Sequence, residues 1–312
     1  MRPILNMDNI QIEVTNACVR SCSNCTRFCG SHYDPYFMPL EQVKAALETV
    51  VDYPKMVGIM GGEPLLHPQF NEICEEATSK VPRERLGLWT CLPKGKEAYG
   101  PLIANTFGNI FINDHSRKDI YHAPILIGMR EITLDMKRAW VEIDKCWVQN
   151  CWSASINPYG AYFCEVAASL ALLFQEKEDA WPVTSDWWMK TPKDFTAQME
   201  RFCPRCGMAA PLSRRLSIEG FDDVSPLNAI ALKGKSKKVD QGRVVVSTGK
   251  ILEKPQQMAS YKDLSYRQRI ADSYGLHLRV TSQGFCEPLL GVAKKTLFDT
   301  YNEKWGQGVI NE

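Results

Sequence analysis

The run NIQIEV (9–14) alternates polar and apolar side chains, the two-residue period of a strand with unlike faces. Three later apolar runs, KMVGIM (55–60), RLGLWT (85–90) and NIFIND (109–114), also read as strands. Between them the period lengthens. MPLEQVKAALETVVD (38–52) spaces its apolar residues for a helix, with Glu41 in the first turn, and HPQFNEICEEATSK (67–80) does the same with a proline near its start. KEAYGPLIANTF (96–107) holds a short helix interrupted near Gly100-Pro101, and PILIGMREI (124–132) is expected to add one more strand. Strands alternating with helices predict right-handed βαβ units and an α/β fold with a parallel sheet, open or closed into a barrel.

Ligands of such sheets sit at the carboxyl ends of the strands. Three unusual stretches fall there: a cysteine-rich loop after the first strand, Gly61-Gly62-Glu63-Pro64 after the second, and Asn113-Asp114-His115 after a later one. All three are expected on one rim. After about residue 140 the rhythm gives way to short elements, with cysteines and tryptophans in close succession. Beyond 210, strand-like RVVVSTGKIL (243–252) mixes with helical YKDLSYRQRIADSY (261–274) and GVAKKTLFDTYNEKW (291–305). The expected organisation is therefore a core over 1–140, a cysteine-rich region over 141–210, and an extension over 211–312 of unassigned role. There is no internal repeat.

Composition narrows the chemistry. The 37 basic and 36 acidic residues give a net charge of +1, which offers no electrostatic case for nucleic acid or an anionic membrane. The one clearly basic run, KGKSKK (233–238), reads as a solvated loop, with a phosphate-bearing ligand as the alternative. No apolar stretch approaches the roughly 20 residues of a membrane span, and MRPILNMDNIQIEV lacks a secretory h-region. A cytoplasmic chain is expected. Its twelve cysteines are then not expected to form stable disulfides, and clustered thiols point to metal or catalysis. Four fall in 18–29 and five in 146–206. Cys74 and Cys91 read as ordinary buried thiols. The five histidines are too scattered for a separate mononuclear metal site.

CVRSCSNC (18–25) supplies three thiolates, enough for three irons of a [4Fe–4S] cluster, with the fourth left open to a ligand. The pattern Cys18-x3-Cys22-x2-Cys25 after a strand, followed by GGEP (61–64), resembles the radical S-adenosylmethionine (SAM) enzymes. That resemblance implies a partial (β/α)6 TIM-type barrel and a cluster held by Cys18, Cys22 and Cys25 that binds SAM. It also implies Gly61, Gly62, Glu63 and Pro64 at the methionyl group, with Thr90, Asn113, Asp114 and His115 as further cofactor contacts; a turn role is the alternative for each of the last four. The family usually has an aromatic residue before the last cysteine, where this chain has Asn24; Phe28 is the candidate to cover the adenine instead. Cys29 matches no family ligand position and reads as a spare thiol.

The second group, CWVQNCWSASINPYGAYFC (146–164) with FCPRCG (202–207), resembles the SPASM and Twitch extensions of radical enzymes, in which cysteines flanking a hairpin join a later CxxC around an auxiliary [4Fe–4S] cluster. The resemblance implies Cys164, Cys203 and Cys206 as ligands, with Cys146 as the fourth and Cys151 as the alternative. A four-cysteine zinc site is the competing reading.

By resemblance the chain removes a hydrogen atom from a small polar substrate: a sugar, cyclitol or nucleotide-linked sugar. A second cluster favours net oxidation of an alcohol, and the arrangement is similar to that of the cyclitol dehydrogenase of butirosin biosynthesis. A reducing donor such as flavodoxin or ferredoxin is implied. Arg130 is the expected orienting residue, with a salt bridge as the alternative, and His115 the candidate base. Because 17 residues precede Cys18, no leader-binding domain is expected, which favours a small molecule over a peptide. The competing readings are epimerisation with Cys286 or Cys29 as hydrogen donor, a ribosomal-peptide maturase, and a non-catalytic iron–sulfur or zinc scaffold.

Overall fold

The computed structural model describes residues 1–113, 115 and 120–249, together with the backbone of 276–280 and 286–288. The helices expected over 261–274 and 291–305 lie outside the described residues. Strands β1 (Asn9–Thr15), β2 (Met56–Gly61), β3 (Leu86–Thr90) and β4 (Asn109–Ile112) run parallel, joined by α1 (Leu40–Thr49), α2 (Phe70–Lys80) and α3 (Gly100–Thr106). The segment 124–132 departs from expectation. It forms a loop whose Leu126 makes a single bridge to Val224, then the one-turn helix α4 (Met129–Ile132). Ile125, Leu126, Ile127 and Met129 are buried, but they pack from a loop and a helical turn rather than extending the sheet.

The next parallel strand comes from the cysteine-rich region. After β5 (Tyr121–His122), α4 and α5 (Met136–Ile143), a π-turn at Val148–Trp152 leads into β6 (Ser153–Asn157), which pairs parallel with β1 on the side away from β2. β7 (Gly160–Tyr162) folds back on β6 through Asn157-Pro158-Tyr159-Gly160. The Asn157 side-chain oxygen accepts from the Tyr159 and Gly160 amides at 2.8 and 3.3 Å. Gly160 has φ 143°, and a Cβ there would stand 2.3 Å from the Trp181 carbonyl oxygen. The sheet order is β12-β11-β4-β3-β2-β1-β6-β7, with β11 (Leu276–Val280) and β12 (Cys286–Pro288) antiparallel beyond β4. This mixed sheet with helices is the partial TIM-type α/β architecture. Strand order reverses at β1, so the loop leaving β1 opens at a switch point, the place such sheets bind ligands.

Both faces of β1 are buried. Ile10, Ile12 and Val14 join the apolar core, while Asn9, Gln11, Glu13 and Thr15 point into the concave interior. β6 repeats the pattern, with Ser153, Ser155 and Asn157 inward. The polar half of the alternation therefore lines a polar interior, not solvent. After β7 the chain forms α6 (Glu165–Phe174) and α7 (Thr196–Phe202). It then adds β8 (Arg215–Leu216), β9 (Asp222–Val224), α8 (Pro226–Leu232), α9 (Lys237–Asp240) and β10 (Val244–Val246). No helix among the described residues is long and apolar enough to cross a membrane.

Candidate active site

The strand ends enclose a cavity of about 180 Å3. Cys18, Cys22, Cys25 and Cys29 border it from the loop after β1, Gly61 and Gly62 from the end of β2, Thr90 and Cys91 from β3, and Asn113 and His115 from beyond β4. Glycine is required at the first two by packing against β1. A Cβ on Gly61 would stand 2.0 Å from the Thr15 carbonyl oxygen, and one on Gly62 would stand 2.2 Å from that of Ala17. In exchange the Gly62 and Glu63 amides donate to those same carbonyls, both at 2.7 Å.

Glu63 and Pro64 do not border the cavity. Glu63 is fully buried, and its carboxylate accepts from the Thr90 hydroxyl (2.7 Å), the Cys91 amide (2.7 Å) and the Leu65 amide (3.2 Å). Burial pushes its pKa up, against the pull of these hydrogen bonds. In place of the expected ligand contact, it latches the end of β2 to the end of β3. Pro64 opens a buried 3-10 turn, Pro64–Leu66. Thr90 spends its hydroxyl on the same latch and accepts from the Leu92 amide at 3.0 Å. Asn113 is tied to β3 through its amide, which donates to Thr90 O at 2.9 Å. Asp114 lies outside the described residues.

His115 meets a partner that sequence reasoning missed. His122 Nδ1 lies 2.7 Å from the Ser23 carbonyl oxygen, and its Nε2 lies 3.2 Å from His115 Nδ1. A carbonyl only accepts, so the neutral His122 ring carries its hydrogen on Nδ1 and accepts at Nε2 from His115 Nδ1–H. Among the thiols, Cys25 is held down to about 5, chiefly by the hydrogen bond from Cys29. Burial, first among the causes, pushes Cys22 up to about 12. Arg130 sits elsewhere. It lies on α4, with Nη2 3.3 Å from Asn228 Oδ1 and Arg205 nearby, and Arg20, Arg27 and Arg214 are the guanidinium groups on the cavity wall. The orienting role expected of Arg130 therefore has no basis in its placement. Cys286 lies on the edge strand β12, with four strands between it and β1; its side chain is outside the described residues.

The cysteine loop is clamped from above by residues 217–238. Lys238, in the run expected to be solvated, is 1% exposed, and its Nζ donates to the Cys22 carbonyl and to Asp222 Oδ1, each at 2.7 Å. Asp222 also accepts from the Asn24 amide at 2.7 Å and the Ser31 hydroxyl at 3.2 Å. The Asn24 side chain pairs with Asp223, accepting from its amide and donating to its carboxylate, both at 2.8 Å. Asn24 thus serves docking where the family pattern has an aromatic side chain. Phe28 is buried in the core and does not border the cavity.

A smaller cavity of about 30 Å3 is bordered by Cys146, Cys164, Cys203 and Cys206 among Phe163, Leu170 and Phe202. Burial, first among the causes, raises all four thiols, Cys206 to about 12. Cys151 is turned away, its thiol donating to the Trp147 carbonyl at 3.1 Å. Met208 borders both cavities. Between the two thiol groups lies a buried ion network: Arg27, two residues past Cys25, reaches Glu165, the neighbour of Cys164, at 3.0 Å and Glu13 at 3.5 Å. Burial raises the Glu13 pKa despite that guanidinium.

The donor set of the N-terminal loop fits an iron–sulfur cluster. Each group of thiols borders a space, and among the described residues no three His, Cys, Asp or Glu side chains converge on a point that one ion could fill. Thiols spread around a space could hold the separated corners of a cubane, whereas a single zinc would need its ligands gathered on one point. Beside the N-terminal thiols, the paired glycines present bare backbone, the surface a polar methionyl group needs.

No curated protein matches the chain. Solved structures similar to the chain include BtrN in complex with AdoMet and 2-DOIA (16% identity, 64% of this chain and 88% of that chain, TM-score 0.41) and selenomethionine BtrN in an open conformation (17% identity, 64% and 86%, TM-score 0.41). The family model of the Radical SAM superfamily matches residues 12–126, the span from β1 through the cysteine loop and GGEP to the strand end at His115 and beyond. Residues 12–126 of this chain are a radical SAM domain, and that family implies a SAM-binding [4Fe–4S] cluster and SAM itself.

Proposed function

We propose that the chain oxidises an alcohol of a small polar molecule (a sugar, cyclitol or nucleotide sugar) by radical SAM chemistry, with Cys146, Cys164, Cys203 and Cys206 holding a second [4Fe–4S] cluster as electron acceptor. The observation that carries this reading is the placement of two thiol groups on adjacent cavities that share Met208. When bound, the first cluster and SAM supply a 5′-deoxyadenosyl radical that removes a hydrogen atom from carbon. An alcohol becomes a ketone by losing that hydrogen atom, one electron and the hydroxyl proton. His115, backed by His122, takes the proton: the pair faces the cavity, and its chain of hydrogen bonds ends on the Ser23 carbonyl. Arg27, Glu165 and Glu13 keep the floor between the thiol groups polar and closed.

The test is anaerobic reconstitution followed by SAM, a flavodoxin- or ferredoxin-type reductant, and a panel of cyclitols, sugars and nucleotide sugars. The reading expects 5′-deoxyadenosine, about eight irons per chain, and one carbonyl product per 5′-deoxyadenosine formed. Iron limited to one cluster, with substrate returned bearing solvent deuterium from D2O, would instead support epimerisation. Cys29 and Cys91 favour that second reading, since both thiols border the cavity.

A further inference from the structure

We propose that Cys29 is a fourth ligand of the N-terminal cluster: before SAM binds, its sulfur occupies the iron that Cys18, Cys22 and Cys25 leave open, and SAM displaces it. This rests on the reading that those three thiols hold a [4Fe–4S] cluster.

Three observations carry it. First, Cys29 is not stored in the apolar core as Cys74 and Cys151 are, at 1% and 3% exposure; it borders the same cavity as the other three. Second, its sulfur lies 4.0 Å from Cys25 Sγ, so it stands among the ligands rather than beside them. Third, the backbone is bent to put it there. Phe28 takes the left-handed conformation at φ 51°, ψ 29°, and the 3-10 turn Cys29–Ser31 follows. That conformation is unfavourable for a residue with a Cβ. It is held by burial of the Phe28 ring, by the Phe28 amide donating to Cys25 O at 3.0 Å, and by the Ser31 hydroxyl on Asp222.

The exchange balances without an oxidant or reductant. The iron–Cys29 sulfur bond breaks, and bonds to the methionyl amino nitrogen and carboxylate oxygen form. The proton that the amino group must shed passes to the departing thiolate. Cys25 and Cys29 must also part to reach different irons, a movement of one half-buried side chain.

Wild-type protein and Cys29→Ala, both reconstituted anaerobically without SAM, are treated with ferricyanide, and the [3Fe–4S] signal is read by electron paramagnetic resonance. A three-thiolate cluster sheds its open iron readily, whereas a fully thiolate-ligated one keeps it. The wild type is expected to resist conversion and the variant to convert. Calorimetric titration with SAM should give a dissociation constant about tenfold lower for the variant, the effect of removing a competitor that holds the site nine-tenths of the time. Cys29→Ser replaces the alanine variant if that fails to fold. Equal conversion in both proteins, with SAM affinities within about twofold, overturns the fourth ligand while leaving the cluster intact. If a Cys18→Ala/Cys22→Ala/Cys25→Ala variant assembles the same irons as wild type, the cluster reading itself fails and Cys29 falls with it.

Discussion

The clamp over the cysteine loop gives the most direct quantitative test. Lys238→Met keeps the side-chain length and removes the charge. It leaves Asp222 1% exposed and facing only the Asn24 amide and the Ser31 hydroxyl, and it leaves the Cys22 carbonyl without its ammonium donor. Breaking a buried pair from one side costs about 3–5 kcal/mol. At roughly 2 °C per kcal/mol for a chain of this size, the melting midpoint should fall by about 6–10 °C. Adding Asp222→Asn neutralises the orphaned carboxylate, so the double variant should recover part of the loss, with a coupling of about 0.5–3 kcal/mol. The assay is thermal unfolding of anaerobic apo protein followed by circular dichroism, with iron loading measured in parallel. Loading at the N-terminal cluster should fall in the single variant, because the carbonyl of one ligand is no longer held. A drop below about 2 °C for Lys238→Met, or a double variant that loses the sum of the two singles, would refute the reasoning.

Other outcomes follow from the same geometry. Cys146→Ala should lose about four irons per chain, while Cys151→Ala, which removes a hydrogen bond to Trp147 O, should keep them and cost about 1 kcal/mol; iron analysis with unfolding separates the two. His115→Phe should lower product formation by about 100-fold or more as a lost general base, yet leave SAM cleavage to 5′-deoxyadenosine detectable; equal rates for both would remove the histidine pair from the proposal. Burial pushes the His32 imidazole down to about 4 from its usual 6.5. The unfolded chain therefore takes up the proton first, and this contribution is whole above pH 6.5 and declines as pH falls towards 4, at up to about 1.4 kcal/mol per pH unit. His32→Gln should flatten the acid limb of an apo stability profile over that window, and an unchanged slope would show the ring is not desolvated.

Local chemistry was legible in the chain. The alternation in NIQIEV, the helical spacing of 38–52 and 67–80, and the glycine pair after KMVGIM each depend on neighbours a few residues apart, and each fell where its period placed it. The spacing Cys18-x3-Cys22-x2-Cys25 also belongs to one loop, so its thiols were bound to meet. What sequence could not supply was any relation set by pairing at a distance. The polar face of β1 looks like a solvated one until β6 closes beside it and Arg27 enters from the loop. Lys238 looks like a surface charge until Asp222 and the Cys22 carbonyl are placed against it, 16 and 216 residues away. PILIGMREI has a strand's composition, but β6 takes the place beside β1, and the apolar side chains of 125–129 are buried without joining the ladder. Periodicity reports which side of a segment avoids water. Only the folded chain decides whether the other side meets water, a partner charge or a cluster.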